Sequence, residues 1–368
     1  MKFRSFYLML AMALVLVLGA CGNAGDEGDA SEGAETDEGA ETEENAESEG
    51  GTETVTFDNT FQVAPGDGED DSTEGEEVSE TVEVAKNPEK VAIFDLGVAS
   101  TFQALDVQEN IAGLPKGEGE TSLSDALSEF ESDEYANLGG LKSPDFEEMA
   151  RMQPDLIMIS GRQATENNLT EFERVAPDAE IVYVAADSTT YFEDIAEMTK
   201  KIGELYEKED EADQLVEEME TRIDDVNAKV SELEDNSILY LQTNGERGVS
   251  FHGQGGRFSY LYDTFGFSSA DEYDEETDSH GSQVNYEFIA NADPAIMFVM
   301  DRGAVAGGGD ATPVDTLINS TTESATAVQN ENIFELDPYV WYLNAGGHET
   351  AMAQIDEVEA AVDNYTAE

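Results

Sequence analysis

Cysteine is almost absent. The 368-residue chain has one, Cys21, so no disulfide can form within it. Positive charge is scarce too: 17 Lys and Arg stand against 84 Asp and Glu, a formal net charge of −67. So strong a negative excess excludes nucleic acid as a partner. There is one tryptophan, Trp341, and the three histidines, His252, His280 and His348, lack metal-ligand spacing. No G-x-S-x-G, H-E-x-x-H or G-x-x-x-x-G-K-[ST] occurs, which removes the common hydrolase, metalloprotease and nucleotide-binding signatures. No enzyme is expected, and no cofactor or directly bound metal.

What is present begins with a processing segment. Lys2 and Arg4 precede the apolar run "FYLMLAMALVLVL", too short and wrongly flanked for a membrane span. The run ends in "LGAC", similar to a lipobox. Residues 1–20 therefore read as a lipoprotein signal peptide and Cys21 as the lipidated residue, giving an extracytoplasmic protein anchored to the cell membrane by lipid. Residues 21–52 read as an acidic tether: 12 Asp and Glu and no Lys or Arg follow Cys21 there. Such a segment cannot bury a core and reaches at most roughly 100 Å. The acidic stretch "DGEDDSTEGEE" lacks the spacing of an EF-hand loop. Residues 53–368 still carry 72 acids against 15 bases. That self-repulsion is largely screened only near 1 M salt, where the screening length falls to about 3 Å, so a high-salt setting is expected.

Beyond the tether the pattern is α/β. "TVTFDNTFQV" (54–63) alternates like a strand and "ETVEVA" (80–85) can close a hairpin with it. Short apolar runs at "KVAIFDLG", "NIAGL", "DLIMIS" and "EIVYV" alternate with helical stretches, which predicts a mostly parallel sheet in residues 53–187. Ser143 is the expected N-cap of the helix before "DLIMIS". Residues 188–234 hold no proline and only Gly203, giving an interdomain helix over 188–210 and the first helix of a second lobe, 211–368. In that lobe "RFSYLYDTFGF" reads as a helix.

The lobes share a repeat. "DFEEMARMQPDLIMISGRQA" (145–164) matches "NYEFIANADPAIMFVMDRGA" (285–304) at a constant offset of 140. Phe146 meets Tyr286, Glu147 meets Glu287, Pro154 meets Pro294 and Arg162 meets Arg302. Each unit reads as helix, break, buried strand, then arginine at the strand's carboxyl end, where open α/β sheets bind ligands. Facing lobes would bring both arginines to one cleft. Arg257 follows the Gly-rich turn "GQGG" at the start of a predicted helix, whose N-terminus would add donors for an anion.

The lipobox, "KNPEKVAIFDLGVASTFQALDV", "GLPKG", "LGGLKSPDFEEMARMQPDLIMISGRQA", "GRFSYLYDTFGF", "DRGAVAGG" and "LDPYVWYLNAGG" together resemble the iron-siderophore-binding lipoproteins of ABC uptake systems, nearest the catecholate, petrobactin-type subgroup. The resemblance implies a class III substrate-binding protein: two Rossmann-like lobes joined by a single long interdomain helix, with a shallow cleft and little hinge motion. It implies a ferric siderophore as ligand, an ABC permease and its ATPase as partners, and a monomer. It places the ligand arginines at Arg162, Arg257 and Arg302. Arginine suits a multiply anionic ferric catecholate, because it stays charged, donates from a planar fork and stacks on rings. Lys116 and Lys142 would add charge at the rim and His280 a hydrogen bond; one or more of Trp341, Tyr339 and Tyr342 would give aromatic cover, the alternative being a core cluster that anchors the last helix. Glu147 and Glu287, matched by the repeat, are the candidates for permease contact. A haem- or cobalamin-binding protein of the same architecture is the alternative, although haem capture would favour Tyr or His ligands where the repeat offers Arg.

Overall fold

Alternating apolar residues make the first strand. The computed structural model describes residues 53–66, 75–117, 122–245, 248–271, 281–305 and 314–367. In it, Val55, Phe57, Phe61 and Val63 of β1 (Thr54–Val63) are buried while their neighbours face out. β2 (Glu76–Ala85) pairs antiparallel with β1 over its whole length, as the alternation predicts. The signal segment, Cys21, the tether, residues 67–74 of the acidic loop, His280 and residues 306–313 lie outside the described residues.

The hairpin covers one edge of a five-stranded parallel sheet. Its strands are β3 (Val91–Ile93), β4 (Ile111–Leu114), β5 (Ala136–Asn137), β6 (Leu156–Ile159) and β7 (Glu180–Tyr183), in the order β5-β4-β3-β6-β7. Every residue of β3 and β6 is buried, as expected for strands covered on both faces. Asn59, fully buried in β1, donates to the Ile181 carbonyl at 2.8 Å and accepts from the Tyr183 amide at 3.0 Å. It thereby supplies hydrogen bonds that the edge strand β7 would otherwise lack.

A second sheet is built from β8 (Ser237–Thr243), β9 (Val249–His252), β10 (Ser268–Ser269), β11 (Ser282–Val284), β12 (Ile296–Asp301) and β13 (Ile333–Leu336), with main order β11-β9-β8-β12-β13. β8, β12 and β13 are parallel, and β9 and β11 join antiparallel at the edge. The helices are α1 (Leu96–Ala104), α2 (Phe146–Met152), α3 (Glu166–Val175), α4 (Tyr191–Leu205), α5 (Glu209–Ser231), α6 (Tyr286–Ala292) and α7 (His348–Asp363), besides two single turns.

The 140-residue repeat is carried by the backbone. Asp145 and Asn285 cap α2 and α6, and the two helices span matched residues. Both end on a left-handed residue, Gln153 at φ 50° and Asp293 at φ 48°, ahead of Pro154 and Pro294. Asp145, not Ser143, is the N-cap: its carboxylate accepts from the amides of Glu147 and Glu148. Ser143 instead closes a turn with Gly140 through two backbone bonds.

The helical run after β7 divides at Glu207, whose φ is 57°. Gly203 makes the reversal possible, because a Cβ there would meet the Lys208 carbonyl at 3.0 Å and also collide with Ala212. Tyr191, Phe192 and Ile195 of α4 join the core of the second sheet, whereas Ile202 and Leu205 join that of the first. α5 does the reverse, with Ala212 in the first core and Met219 to Val230 in the second. The link between the lobes is thus a helical pair, each member entering both cores.

A second junction joins α7 to α1. The amides of His348 and Thr350 donate to Thr101 Oγ1 at 2.9 Å and Ser100 Oγ at 3.4 Å, so side chains of the first lobe cap a helix of the second. Gly97 and Gly347 meet backbone to backbone: a Cβ on Gly97 would run into the Ala345 carbonyl and the Gly347 amide. Gly97→Ala is therefore expected to cost about 1–3 kcal/mol through overpacking, read as a lower urea midpoint at unchanged m-value.

Candidate functional site

The site forms where carboxyl ends of strands from the two sheets come together. Arg162 lies three residues past β6, Arg302 directly follows β12, and Arg257 sits in the turn after β9. The three side chains converge on one aromatic ring. Their guanidinium carbons stand 5.6 Å (Arg162), 4.7 Å (Arg257) and 4.9 Å (Arg302) from the Tyr342 ring centroid, within cation–π range. All four residues are half-buried.

Each arginine is held from behind. Arg162 donates to the backbone carbonyls of Tyr342 at 2.7 Å and Leu343 at 3.3 Å. Its loop is tied to the hairpin, since Ala64 N donates to Ala164 O at 2.9 Å and Glu166 N to Ala64 O at 3.0 Å. Gln163 Oε1 also accepts from Ser160 N at 3.0 Å. Arg302 donates to Asn244 Oδ1 at 3.4 Å, and Asp301 beside it accepts from Thr243 Oγ1 at 2.9 Å. Arg257 also stacks on Phe258, 5.8 Å from its ring centroid.

No carboxylate forms an ion pair with the three arginines among the described residues. The ion pairs among the described residues use Lys86, Arg151, Arg174, Lys200, Lys208, Arg222 and Lys229, and none uses Arg162, Arg257 or Arg302. Asp95, the N-cap of α1, acts on Arg162 only as a nearby charge. Burial pushes the Asp95 carboxyl up, against opposing bonds from the Val98 amide and the attraction of Arg162. Burial and the like charge of Arg257 lower the pKa of Arg162, yet a guanidinium stays protonated. Burial alone would raise the Tyr342 phenol. A hydrogen bond from Arg302 and the charges of Arg302, Arg257 and Arg162 outweigh it, leaving the phenol below the ordinary tyrosine value. Tyr183, Tyr191, Tyr206, Tyr240, Tyr260 and Tyr262 are all pushed up by burial instead.

Tyr342 belongs to a strap, residues 339–347, that crosses between the lobes. A π-helical turn (Tyr339–Leu343) turns adjacent side chains opposite ways. Tyr342 faces the arginines, and Trp341 is fully buried among Tyr240, Phe258 and Tyr260. The Trp341 indole donates to Glu357 Oε2 at 2.8 Å. Of the two places open to Trp341, cleft and core, it takes the core. Asn344, also buried, accepts from Ser124 N at 2.9 Å and donates to Ser122 O at 3.0 Å, and Gly346 N donates to Tyr191 Oη at 2.9 Å.

Two more expectations change. Lys116 turns to its own lobe: its ammonium donates to the Ser132 carbonyl at 2.6 Å, with Asp133 and Glu131 nearby, and it has no contact with the arginines. Arg257 does not open a helix. Residues 256–259 are turns and the helical segment is only Tyr260–Asp263, because Phe258, Tyr260, Leu261 and Tyr262 are all buried and leave no polar face. Lys142 is exposed. Glu147 and Glu287 are exposed second residues of α2 and α6. Asn244, Asp95 and Asn344 were not legible in the sequence, since lone polar residues at strand ends and in loops follow no period. Among the described residues no cluster of three His, Cys, Asp or Glu is arranged for a metal, and no helix is long and apolar enough to cross a membrane.

Residues 91–340 match the sequence profile described as "Periplasmic binding protein". The petrobactin-binding protein YclQ of Bacillus subtilis (strain 168) is 34% identical over 280 residues, 76% of this chain and 84% of that protein. The ferric-anguibactin-binding protein FatB of Vibrio anguillarum is 24% identical over 277 residues, 75% of this chain and 83% of that one. The crystal structure of YclQ superposes with a TM-score of 0.70 at 30% identity, covering 83% of this chain and 99% of its own. The periplasmic catecholate-siderophore binding protein VctP of Vibrio cholerae shares the fold, with a TM-score of 0.67 at 21% identity, covering 82% of this chain and all of its own.

Proposed function

This chain belongs to the periplasmic binding protein family, a binding protein and not an enzyme, and we propose that it captures an anionic ferric siderophore of catecholate type between its lobes for delivery to an ABC permease. The observation that carries this reading is the convergence of Arg162, Arg257 and Arg302 on one ring without a paired carboxylate among the described residues. In so acidic a chain, three guanidinium groups without an ion-pair partner among the described residues are a site waiting for negative charge from outside. Iron in such a complex is already held by catecholate oxygens. The protein then needs only permanent cations, planar donors and ring contact, which the arginines and Tyr342 supply. The relatives bind petrobactin and ferric anguibactin by name, which supports the ligand class.

The protein works outside the cytoplasm, as the family does. A lipid on Cys21 would hold it at the membrane, with the tether giving it reach, and it would act as a monomer. The binding reading is tested by equilibrium dialysis against iron(III) with excess catechol: retention of the complex is expected, and free passage contradicts it. Glu147 and Glu287, exposed at matched places on the lobes, would meet basic residues of the permease. Replacing both with Gln is expected to abolish iron uptake by cells while ligand affinity stays unchanged; unchanged uptake sinks that role.

A further inference from the structure

Three cations crowd one phenol, and no carboxylate among the described residues pairs with them. Their like charges repel one another: after burial, the charges of Arg257 and Arg302 lower the pKa of Arg162. A neutral ring offsets part of this through its quadrupole, and an ionised phenol offsets far more. Among the described residues, the charged groups acting on Tyr342 come from three elements. They are Arg162 from the loop after β6 with Asp95 behind it, Arg257 from the turn after β9, and Arg302 after β12. Asn244 shares Arg302 and is uncharged. On the core side the strap's neighbour Trp341 occupies Glu357, so that carboxylate is turned away from the ring.

Resting on the ligand reading above, we propose that Tyr342 is the site's own removable counter-anion. Beside three guanidinium groups, its phenol gives up its proton ahead of the other tyrosines as pH rises in the empty site. When an anionic aryl-oxide complex takes over their charge, the O–H bond re-forms with a proton drawn from solvent. Above the pH at which the empty site titrates, ligand capture is thereby coupled to uptake of one proton, and the site prefers multiply charged ligands that can replace a phenolate. The sign follows from linkage. A bound anion disfavours phenolate, so affinity falls as pH rises through the titration of the empty site, by up to tenfold per pH unit.

Two measurements on the full chain test this. In ligand-free protein, the near-ultraviolet tyrosinate band is followed against pH. One tyrosine is expected to titrate ahead of the others and to vanish from that position in Tyr342→Phe. Calorimetry with iron(III) and excess catechol, in two buffers of different ionisation enthalpy, then compares the same two proteins. At a pH above the early titration, wild type is expected to take up close to one more proton than Tyr342→Phe, which keeps the ring but cannot ionise. An early titration that survives in Tyr342→Phe, equal proton uptake in both proteins, or extra release by wild type overturns the proposal. Should the complex bind neither protein, the functional reading fails, and the ligand-free titration still decides by itself whether Tyr342 is the ionising group.

Discussion

Arg302→Ala is expected to weaken binding of a ferric catecholate about 30-fold, and Arg257→Ala similarly. Losing one charged hydrogen-bonding partner from a desolvated contact costs about 2 kcal/mol at the low end of such losses. The low end applies because these side chains are half-buried rather than sealed. The double variant should lose roughly a thousandfold if the two act independently, and less if they share one ligand oxygen. Stability should move the other way. Arg257 and Arg302 repel each other and Arg162, and neither has a carboxylate partner among the described residues, so their removal should leave the melting temperature unchanged or raise it. Arg162→Ala is different, because Arg162 also holds the carbonyls of Tyr342 and Leu343, and it should lose both affinity and stability. A loss of stability in all three, with affinity intact, would make the arginines structural.

Salt is the second large lever. With a net charge of −67, the chain repels itself, and the screening length shrinks from about 30 Å at 0.01 M to about 3 Å at 1 M. Stability is expected to rise by several kcal/mol over that range, on the order of 10 °C in melting temperature for a chain of this size. Association should respond in the same sense. An anionic ligand meets a negative protein before it meets three arginines, so the on-rate should rise from low to moderate salt, opposite to ordinary steering. A stopped-flow series in which the on-rate falls steadily with salt would mean that the local field of the arginines dominates at long range.

Much of this was legible in the sequence because the repeat records backbone geometry. The offset of 140 places Asp145 over Asn285 and Gln153 over Asp293, residues that cap and terminate matched helices, so Arg162 and Arg302 inherit the same place after their strands. Hairpin alternation was equally plain, since one face of β1 is buried throughout. What failed did so for local reasons. The stretch after Arg257 looked helical by composition, but four of its side chains are needed in the core at once. Trp341 and Tyr342 are neighbours with opposite fates, and only the π turn decides which faces the arginines. The helical run after β7 reads as two helices meeting near residue 210, and the reversal falls a few residues earlier because it rests on Gly203 and on a left-handed Glu207, not on proline.

Trp341 makes the central claim directly measurable. It is the sole tryptophan, buried beside Tyr342, and a coloured ferric complex held at the arginines would quench it. Titrating the protein with an anionic ferric catecholate and with an uncharged ferric hydroxamate should give saturable quenching by the first only, lost in the Arg257→Ala, Arg302→Ala double variant. Equal quenching by both complexes, or quenching that survives the double substitution, would contradict an arginine site that selects negative charge.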